Sequence, residues 1–325
     1  MKNKIILLGL TLVLALGLVA CGSEKNKTAQ DDQNSANQNH KLTAIATLFP
    51  QYDFAKIVGG DKVNVEKLLP NGVESHSYEP TPGDIVTINE ADFFLYTGDV
   101  MEPWAATIID GVSSDSLSVV DVSQDIPLLN HPAHQNHEAH EGEKTSVHEE
   151  SADPHIWTDP TRAMIMVDNI AKAFGEKDPE NAEYYQENAK NYKAQLSDLD
   201  NEIKTIIAEG ERNKIIFGGR FAFLYFCDHY GLDHDAAYDS CSDSGEPSAK
   251  KVSELIDEIK TENIPIIFYE ELRTPTVAQS IGEETGAKLL LLHSCHNVTE
   301  DELKDGISYL QIMEQNAANL KEGLN

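Results

Sequence analysis

A long amphipathic segment, Pro179 to Glu209, divides this chain into two halves and constrains its fold more than any other feature. Asp178 is a plausible N-cap for it, and Pro179 suits the first turn of a helix. Apolar and aromatic residues recur along it at helical spacing: Ala182, Tyr185, Ala189, Tyr192, Leu196, Leu199, Ile203 and Ile206. About 30 residues in a helix span roughly 45 Å. The pattern therefore predicts one rigid linking helix over 179–210 that joins two lobes and limits hinge closure between them.

Short β-rich runs alternate with helix-like segments on both sides of this helix. In the first half the predicted strands are 42–48, 63–69, 91–96 and 117–122, and the amphipathic pieces lie near 52–58 and 102–109. In the second half the predicted strands are 214–217, 264–269 and 287–292, with a helical stretch at 248–260. This alternation predicts an α/β fold with two lobes, 42–178 and 211–325, each a mostly parallel sheet flanked by helices.

The N-terminus has the pattern of a signal peptide. Lys2 and Lys4 are followed by an apolar run, 5–18, which is too short for a comfortable membrane span. The run ends at a small-residue site before Cys21, and this resembles a bacterial lipoprotein signal. The resemblance implies that 1–20 are removed, that Cys21 carries lipid, and that the protein is anchored to the outer face of the cell membrane. The polar stretch 21–41 lacks apolar periodicity and predicts a flexible tether.

Charge and cysteine content narrow the class further. The formal net charge is −30 at pH 7, so a nucleic acid would be repelled and cations would be gathered. Besides Cys21, the chain has Cys227, Cys241 and Cys295, and none of them belongs to a CxxC pair. A thiolate zinc knuckle and a redox motif are therefore unsupported, while a Cys241–Cys295 disulfide stays open.

One acidic segment, 131–150, is dense in histidine and nearly free of large apolar residues, so it cannot form a core. Its histidines are His131, His134, His137, His140 and His148. Neutral imidazole is a ligand suited to zinc, nickel and copper. The composition predicts an accessory metal-binding loop of weak, adaptable affinity, and a charged, solvated spacer is the alternative.

Two further histidines lie in loops bracketed by proline. His76 lies in the segment 75–80, just after a predicted strand, and His155 lies in 153–160, just before a predicted helix. Either histidine alone would more often be an ordinary hydrogen-bonded residue. As a pair at the carboxyl ends of sheet strands they are candidate ligands, because open α/β folds place ligands at that edge.

These segments together resemble the substrate-binding lipoproteins of bacterial zinc and manganese ABC importers, and the resemblance covers essentially the whole mature chain. The segments that carry it are 75–80, 91–92, 96–98, the histidine-rich loop, 153–157, the helix after Asp178-Pro179, and 246–248. The resemblance implies two lobes joined by a rigid helix that clamp one divalent cation. His76 and His155 match the first two ligands of that family.

The last two ligands of the family match less well. Arg220 stands where the family usually has a histidine, and a guanidinium does not bind a metal. The family's late aspartate corresponds here to His293. The resemblance therefore implies a metal site made of His76, His155 and His293.

Three candidates for the remaining coordination position stay open: water, Glu270 and His296. Arg220 is a candidate for orienting a carboxylate beside the site, either Asp243 or Glu270. Three imidazoles favour tetrahedral zinc over manganese, which prefers oxygen ligands. Zn²⁺ is therefore the expected transported ion, with Mn²⁺ as the alternative.

A zinc hydrolase is the main rival from another class. It would need a general base beside the metal, and the sequence contains no HExxH motif, no GxSxG motif and no Walker A motif. We therefore predict a monomeric zinc receptor and not an enzyme. Its expected partners are a membrane permease and a cytoplasmic ATPase, and a manganese-type receptor or a metal-binding surface adhesin is the alternative.

Overall fold

The structure is a computed structural model, and it describes residues 41–112, 114, 116–130, 152–238 and 245–325. Several predictions fall outside these ranges: the signal peptide, Cys21 and the tether, the histidine-rich loop with all five of its histidines, Cys241 and Asp243. Cys227 and Cys295 are free, buried thiols. Among the described residues, no helix is long and apolar enough to cross a membrane.

Strands and helices alternate along the described chain. The strands are β1 Leu42–Ala46, β2 Val63–Lys67, β3 Phe93–Tyr96, β4 Ser118–Asp121, β5 Lys214–Arg220, β6 Asp233–Tyr238, β7 Ile266–Tyr269 and β8 Lys288–Leu291. The helices are α1 Phe49–Gly59, α2 Pro82–Glu90, α3 Ala105–Gly111, α4 Pro160–Lys177, α5 Ala182–Glu209, α6 Leu224–Tyr230, α7 Ala249–Glu262, α8 Thr276–Thr285, α9 Glu300–Lys304 and α10 Tyr309–Leu324.

Each lobe is built on one four-stranded sheet in which all neighbouring strands are parallel. The strand order is β2-β1-β3-β4 in the first lobe and β6-β5-β7-β8 in the second. Parallel strands need crossover connections, and helices supply most of them. The predicted fold class, two mostly parallel α/β lobes, is confirmed.

The sequence analysis missed one strand of the second sheet and the last helix. Strand β6 begins with Asp233, His234 and Asp235, so its first half lacks the apolar run of a central strand. It lies at the edge of the sheet, where charged residues discourage pairing with another chain. Strand β7 begins at Ile266, after Pro265, whose nitrogen carries no proton for the ladder.

The linking helix is α5, which begins after a single 3₁₀ turn over Pro179–Asn181. The Asp178 carboxylate accepts hydrogen bonds from the Asn181 amide and the Tyr185 hydroxyl, and these bonds fix the turn. The 28 residues of the helix correspond to roughly 42 Å. One face is buried along its whole length, from Tyr185 to Ile206, so the helix packs against both lobes.

The two lobes share one hydrophobic core. A single cluster of buried side chains contains Phe54 and Phe93 of the first lobe, Ile203 of the linking helix, and Phe217 and Phe268 of the second lobe. Close-packed interiors resist deformation. The shared core therefore supports the prediction of limited hinge motion.

Candidate metal centre

Three histidines from separate loops meet at the carboxyl edges of the two sheets. One ring nitrogen of each of His76, His155 and His296 lies within 4.8 Å of the other two. The ring centroids are 5.5 Å apart for His76 and His155, 5.2 Å for His76 and His296, and 4.6 Å for His155 and His296. His76 follows β2, His155 follows β4 and His296 follows β8. We call these three residues the histidine cluster.

His155 is held rigidly by Asp153. The Asp153 carboxylate accepts hydrogen bonds from the backbone N–H of His155 at 2.8 Å and lies 2.9 Å from the Nδ1 atom of its ring. This pairing places a proton on Nδ1 and leaves the Nε2 lone pair for a metal, as is usual for zinc-bound imidazole. The Nε2 atom of His155 is buried and has no hydrogen-bond partner in the described structure, and its residue is 1% exposed.

His76 lies on a looser loop. The Glu74 carboxylate accepts hydrogen bonds from the backbone N–H groups of His76 and Ser77, at 2.9 and 3.1 Å. His76 is only partly buried, whereas His155 and His296 are buried. Of the three imidazoles, His76 therefore lies closest to solvent.

His296 is oriented from the second lobe. Its Nδ1 atom is hydrogen-bonded to the Ser294 hydroxyl and lies 3.8 Å from a carboxylate oxygen of Glu271. Glu271 also accepts hydrogen bonds from the Ser294 backbone N–H at 2.8 Å and from the Ser294 hydroxyl at 2.5 Å. Cys295, which lies between Ser294 and His296 in the chain, adopts a left-handed backbone conformation, with φ of 64°. This conformation is uncommon for a residue with a side chain, and residues that adopt it cluster at functional sites.

The third histidine of the cluster differs from the one expected from the sequence. The cluster contains His296, which the sequence left as a possible additional ligand, and it does not contain His293. The Nδ1 atom of His293 accepts a hydrogen bond from the Cys295 N–H, and its backbone is bonded in both directions to Asn316. These bonds keep His293 at the corner where the chain leaves β8.

The segment that carries His296 is attached to the first lobe. Hydrogen bonds join the Phe49 N–H to the His296 carbonyl at 3.2 Å, the Gly72 N–H to the Val298 carbonyl at 2.9 Å, and the Trp157 indole N–H to the Ser294 carbonyl at 2.7 Å. The Asn297 amide also donates to two carbonyls of the loop before His76, those of Pro70 and Val73. Although it follows the last strand of the second sheet, this segment is fixed to the first lobe.

The electrostatics of the site favour neutral imidazoles. The pKa of His76 is lowered to about 2, mainly by burial and further by the positive charges of His296, His155 and Arg220. Burial is also the main cause that lowers the pKa of His296. Burial alone would raise the pKa of Glu271, but the neighbouring His293 and His296 hold it well below its ordinary value. Glu271 is therefore an ionised carboxylate beside the histidine cluster.

Arg220 and Glu270 lie beside the histidine cluster but are not members of it. Both line a cavity of about 60 Å³ that also reaches His296. The backbone N–H of Arg220 donates to the Glu270 carboxylate. The main chain of Arg220 thus contacts Glu270, one of the two carboxylates that Arg220 was predicted to orient.

Two carboxylates of the site were not assigned by sequence reasoning. Asp153 lies two residues before His155, and Glu271 is the second residue after β7. A histidine ligand commonly needs such a partner for its second nitrogen. The Asp-Pro-His order could have identified Asp153, but the contact of Glu271 with His296 spans 25 positions and had no local signal.

Three convergent imidazole nitrogens are a donor set suited to zinc, which favours four-coordinate sites with nitrogen ligands. Within the described ranges, no cysteine, aspartate or glutamate joins the histidine cluster. The fold and the site together define a two-lobed metal-binding receptor.

Comparisons with known proteins identify the family. The model described as "Zinc-uptake complex component A periplasmic" matches residues 45–323, and the chain belongs to this ZnuA family. It is 33% identical over 318 residues to the high-affinity zinc uptake system protein ZnuA of Bacillus subtilis, covering 97% of each chain. The predicted family, with a binding protein in place of an enzyme and zinc as the bound metal of its relatives, is confirmed.

Solved structures show the same fold. The Zn(II)-bound ZnuA-like domain of AdcA from Streptococcus pneumoniae is 29% identical, with a TM-score of 0.73, and the match covers 87% of this chain and 99% of that one. The laminin-binding protein Lmb of Streptococcus agalactiae, described as having adhesin and metal-transporting activity, is 26% identical, with a TM-score of 0.74 over 87% of this chain and 100% of that one.

Proposed function

We propose that this protein is an extracytoplasmic receptor that captures Zn²⁺ with His76, His155 and His296 and delivers it to the permease of an ABC importer. The observation that carries the proposal is the convergence of three imidazole nitrogens within 4.8 Å at the edge between the two lobes. The zinc-uptake role of the family and the Zn(II)-bound structure of a relative support it. Lipid on Cys21 would hold the receptor beside its permease.

Two alternatives explain less of the site. Manganese prefers carboxylate and water oxygens, whereas the cluster offers nitrogen. A surface adhesin, the activity named for Lmb, gives no reason for three buried imidazoles, although adhesion and zinc capture are compatible in one protein. Zinc capture accounts for the histidines, for Asp153 and for Glu271.

The test is a competition titration of the chain from Gly22 onward with Zn²⁺ and Mn²⁺ against a chelating dye. Single substitutions His76→Ala, His155→Ala and His296→Ala should each abolish the tight zinc site. His293→Ala is the matched control, because it removes a buried imidazole from the turn that also carries His296 but leaves the histidine cluster complete. Deletion of 131–148 should leave the tight site intact.

The opposite pattern would overturn the proposal. If deletion of 131–148 abolished tight zinc binding and the three alanine substitutions did not, the cleft would not be the receptor site. If His293→Ala abolished binding and His296→Ala did not, the ligand assignment would return to the one drawn from sequence. Delivery is tested separately, by zinc uptake in cells that depend on this receptor.

A further inference from the structure

We propose that two buried tyrosines of the second lobe, Tyr225 and Tyr309, are positioning residues for zinc, because their hydroxyls hold the backbone on both sides of His155. This inference rests on the proposed function and adds to it the residues that fix the place of one ligand. Tyr225 lies on α6, and Tyr309 is the first residue of α10. His155 belongs to a loop of the first lobe, so the two hydroxyls reach from one lobe to the other.

The two hydroxyls bind carbonyl groups at equal distances in the chain from His155. The Tyr225 hydroxyl donates to the Asp153 carbonyl at 2.6 Å, two residues before the histidine. The Tyr309 hydroxyl donates to the Trp157 carbonyl at 2.5 Å, two residues after it. All five of these residues are at most 1% exposed. Water therefore does not compete for the two bonds, and the loop is anchored on each side of the histidine.

Each anchored residue also contacts the imidazole of His155 with its side chain. The Asp153 carboxylate lies 2.9 Å from Nδ1 of the ring. The centroid of the Trp157 ring lies 5.6 Å from that of His155 and 5.3 Å from that of His296, with the ring planes steeply inclined in both pairs. Groups that orient a metal ligand contribute to metal affinity. Each tyrosine thus acts on His155 through a neighbour that contacts its ring.

Local hydrogen bonds shape the His155 loop, and the tyrosines set its position. The His155 carbonyl accepts hydrogen bonds from the Thr158 N–H at 3.1 Å and the Thr158 hydroxyl at 2.8 Å, and the Pro154 carbonyl accepts one from the Ile156 N–H at 2.9 Å. These bonds lie within the loop. The two tyrosine bonds instead tie it to the second lobe, whose last strand leads to His296. One zinc ion can bind both imidazoles only while their separation, 4.6 Å between ring centroids, is kept.

The two hydroxyls keep their protons, which the proposed role requires. Burial raises the pKa of Tyr225 to about 12 and raises the pKa of Tyr309 well above its ordinary value. Both groups therefore donate at every pH at which neutral imidazole binds zinc. The Tyr225 oxygen also accepts a hydrogen bond from the Leu129 N–H at 3.0 Å, which fixes the direction of its own proton.

Tyr192 of the linking helix provides a matched control. It is 3% exposed, its ring packs 5.9 Å from that of Phe54, and its hydroxyl has no hydrogen-bond partner within the described ranges. A change from tyrosine to phenylalanine removes the same oxygen atom from three buried rings, at positions 192, 225 and 309. Only at 225 and 309 does it also remove a bond to the His155 loop, so the comparison isolates the effect of that bond.

The experiment measures the zinc affinity of the three variants on the chain from Gly22 onward, by competition with a chelating dye at a temperature where each variant is folded. Tyr225→Phe and Tyr309→Phe should each bind zinc about tenfold more weakly, as expected for loss of a group that orients a metal ligand. Tyr192→Phe should bind zinc as the unmodified protein does. The visible spectrum of Co²⁺ bound in place of zinc reports the arrangement of the ligands, and it should change in the first two variants only.

A purely structural role for the tyrosines predicts a different result. Tyr225→Phe and Tyr309→Phe would then lower the melting temperature of the zinc-free protein but leave zinc affinity and the Co²⁺ spectrum unchanged, and the inference would be wrong. An equal loss of affinity in Tyr192→Phe would also overturn it. If one of the two variants does not fold, the other decides the question. His155→Ala tests the receptor function separately: tight zinc binding in that variant would refute the receptor site, whereas unchanged affinity in the tyrosine variants alone leaves it standing.

Discussion

The two lobes share a topology but contribute different things to the site. The first lobe supplies His76 and His155, together with the carbonyl and N–H groups that hold the His296 segment. The second lobe surrounds the same site with charge, through Arg220, Glu270 and Glu271. The edge of the first sheet thus carries two members of the histidine cluster, and the edge of the second sheet carries His296 together with the charged residues around it.

This difference between the lobes bears on how the receptor would release zinc. Movement of the two lobes apart is one way for such a receptor to release its metal. The 294–298 segment is hydrogen-bonded to the first lobe and to Glu271 of the second lobe, so separation of the lobes would have to break one of these two sets of bonds. His76, on the Glu74 loop, is the only partly buried member of the histidine cluster.

The largest effect should come from removing a ligand of the first lobe. His155→Ala deletes a buried imidazole and its hydrogen bond to Asp153. Loss of a residue that only orients a metal ligand typically lowers metal affinity by roughly 10- to 100-fold. Loss of the imidazole itself should lower zinc affinity by more than this. Glu270→Gln, the matched change in the second lobe, should alter affinity by less than about threefold. Isothermal titration of both variants checks the comparison, and equal losses would show that Glu270 also takes part in holding the metal.

The attachment of the His296 segment to the first lobe should matter next. Asn297 is fully buried and donates to the carbonyls of Pro70 and Val73. Asn297→Ala should lower zinc affinity about tenfold and destabilise the fold by roughly 1–3 kcal/mol, because a buried side chain that donates two hydrogen bonds to the Pro70 and Val73 carbonyls is removed. The exposed Asn64, which contacts Glu66, provides the control Asn64→Ala. Unchanged affinity in Asn297→Ala would mean that the segment is held from the second lobe.

Sequence reasoning reached the fold because its signals were local. The strand runs, the linking helix from Ala182 to Glu209 and the loop positions of His76 and His155 can each be identified within about 30 residues. The third ligand could not be identified this way. His293 and His296 are three positions apart, and the choice between them depends on a left-handed turn at Cys295 and on bonds to Phe49, Trp157 and Asn316 that no local pattern encodes.

The pH response should be weaker than a histidine site suggests. Protons compete with zinc only below the pKa of each imidazole, and the pKa values of His76, at about 2, and of His296 are lowered by burial. Lowering the pH from 7.5 to 5.5 should therefore reduce zinc affinity less than about tenfold, whereas three unperturbed histidines would lose roughly a thousandfold. A weak dependence on pH is therefore compatible with histidine ligands. Titration against a dye at both pH values measures it, and a thousandfold loss would show that the cluster is open to water.

The smallest effect on zinc should come from the buried carboxyl group of the first lobe, Glu102. Its oxygens accept hydrogen bonds from the Thr47 hydroxyl at 2.5 Å and the Thr97 N–H at 3.0 Å. Burial raises the pKa of Glu102 to about 8, whereas Glu271 in the second lobe is equally buried but is held ionised by imidazoles. The pKa values of these two buried carboxyl groups thus shift in opposite directions, because only Glu271 has imidazoles beside it.

Glu102→Gln tests that contrast. In the folded protein the raised pKa keeps Glu102 protonated, so its contribution to the free energy of unfolding is complete below pH 4.5 and is lost as the pH rises toward about 8. Glutamine stays neutral at every pH. The variant should therefore be more stable than the unmodified protein at pH 8, by about 1–3 kcal/mol, similar to it at pH 5, and unchanged in zinc affinity. Thermal unfolding at the two pH values measures the difference, and an equal change at both would assign Glu102 a purely steric role.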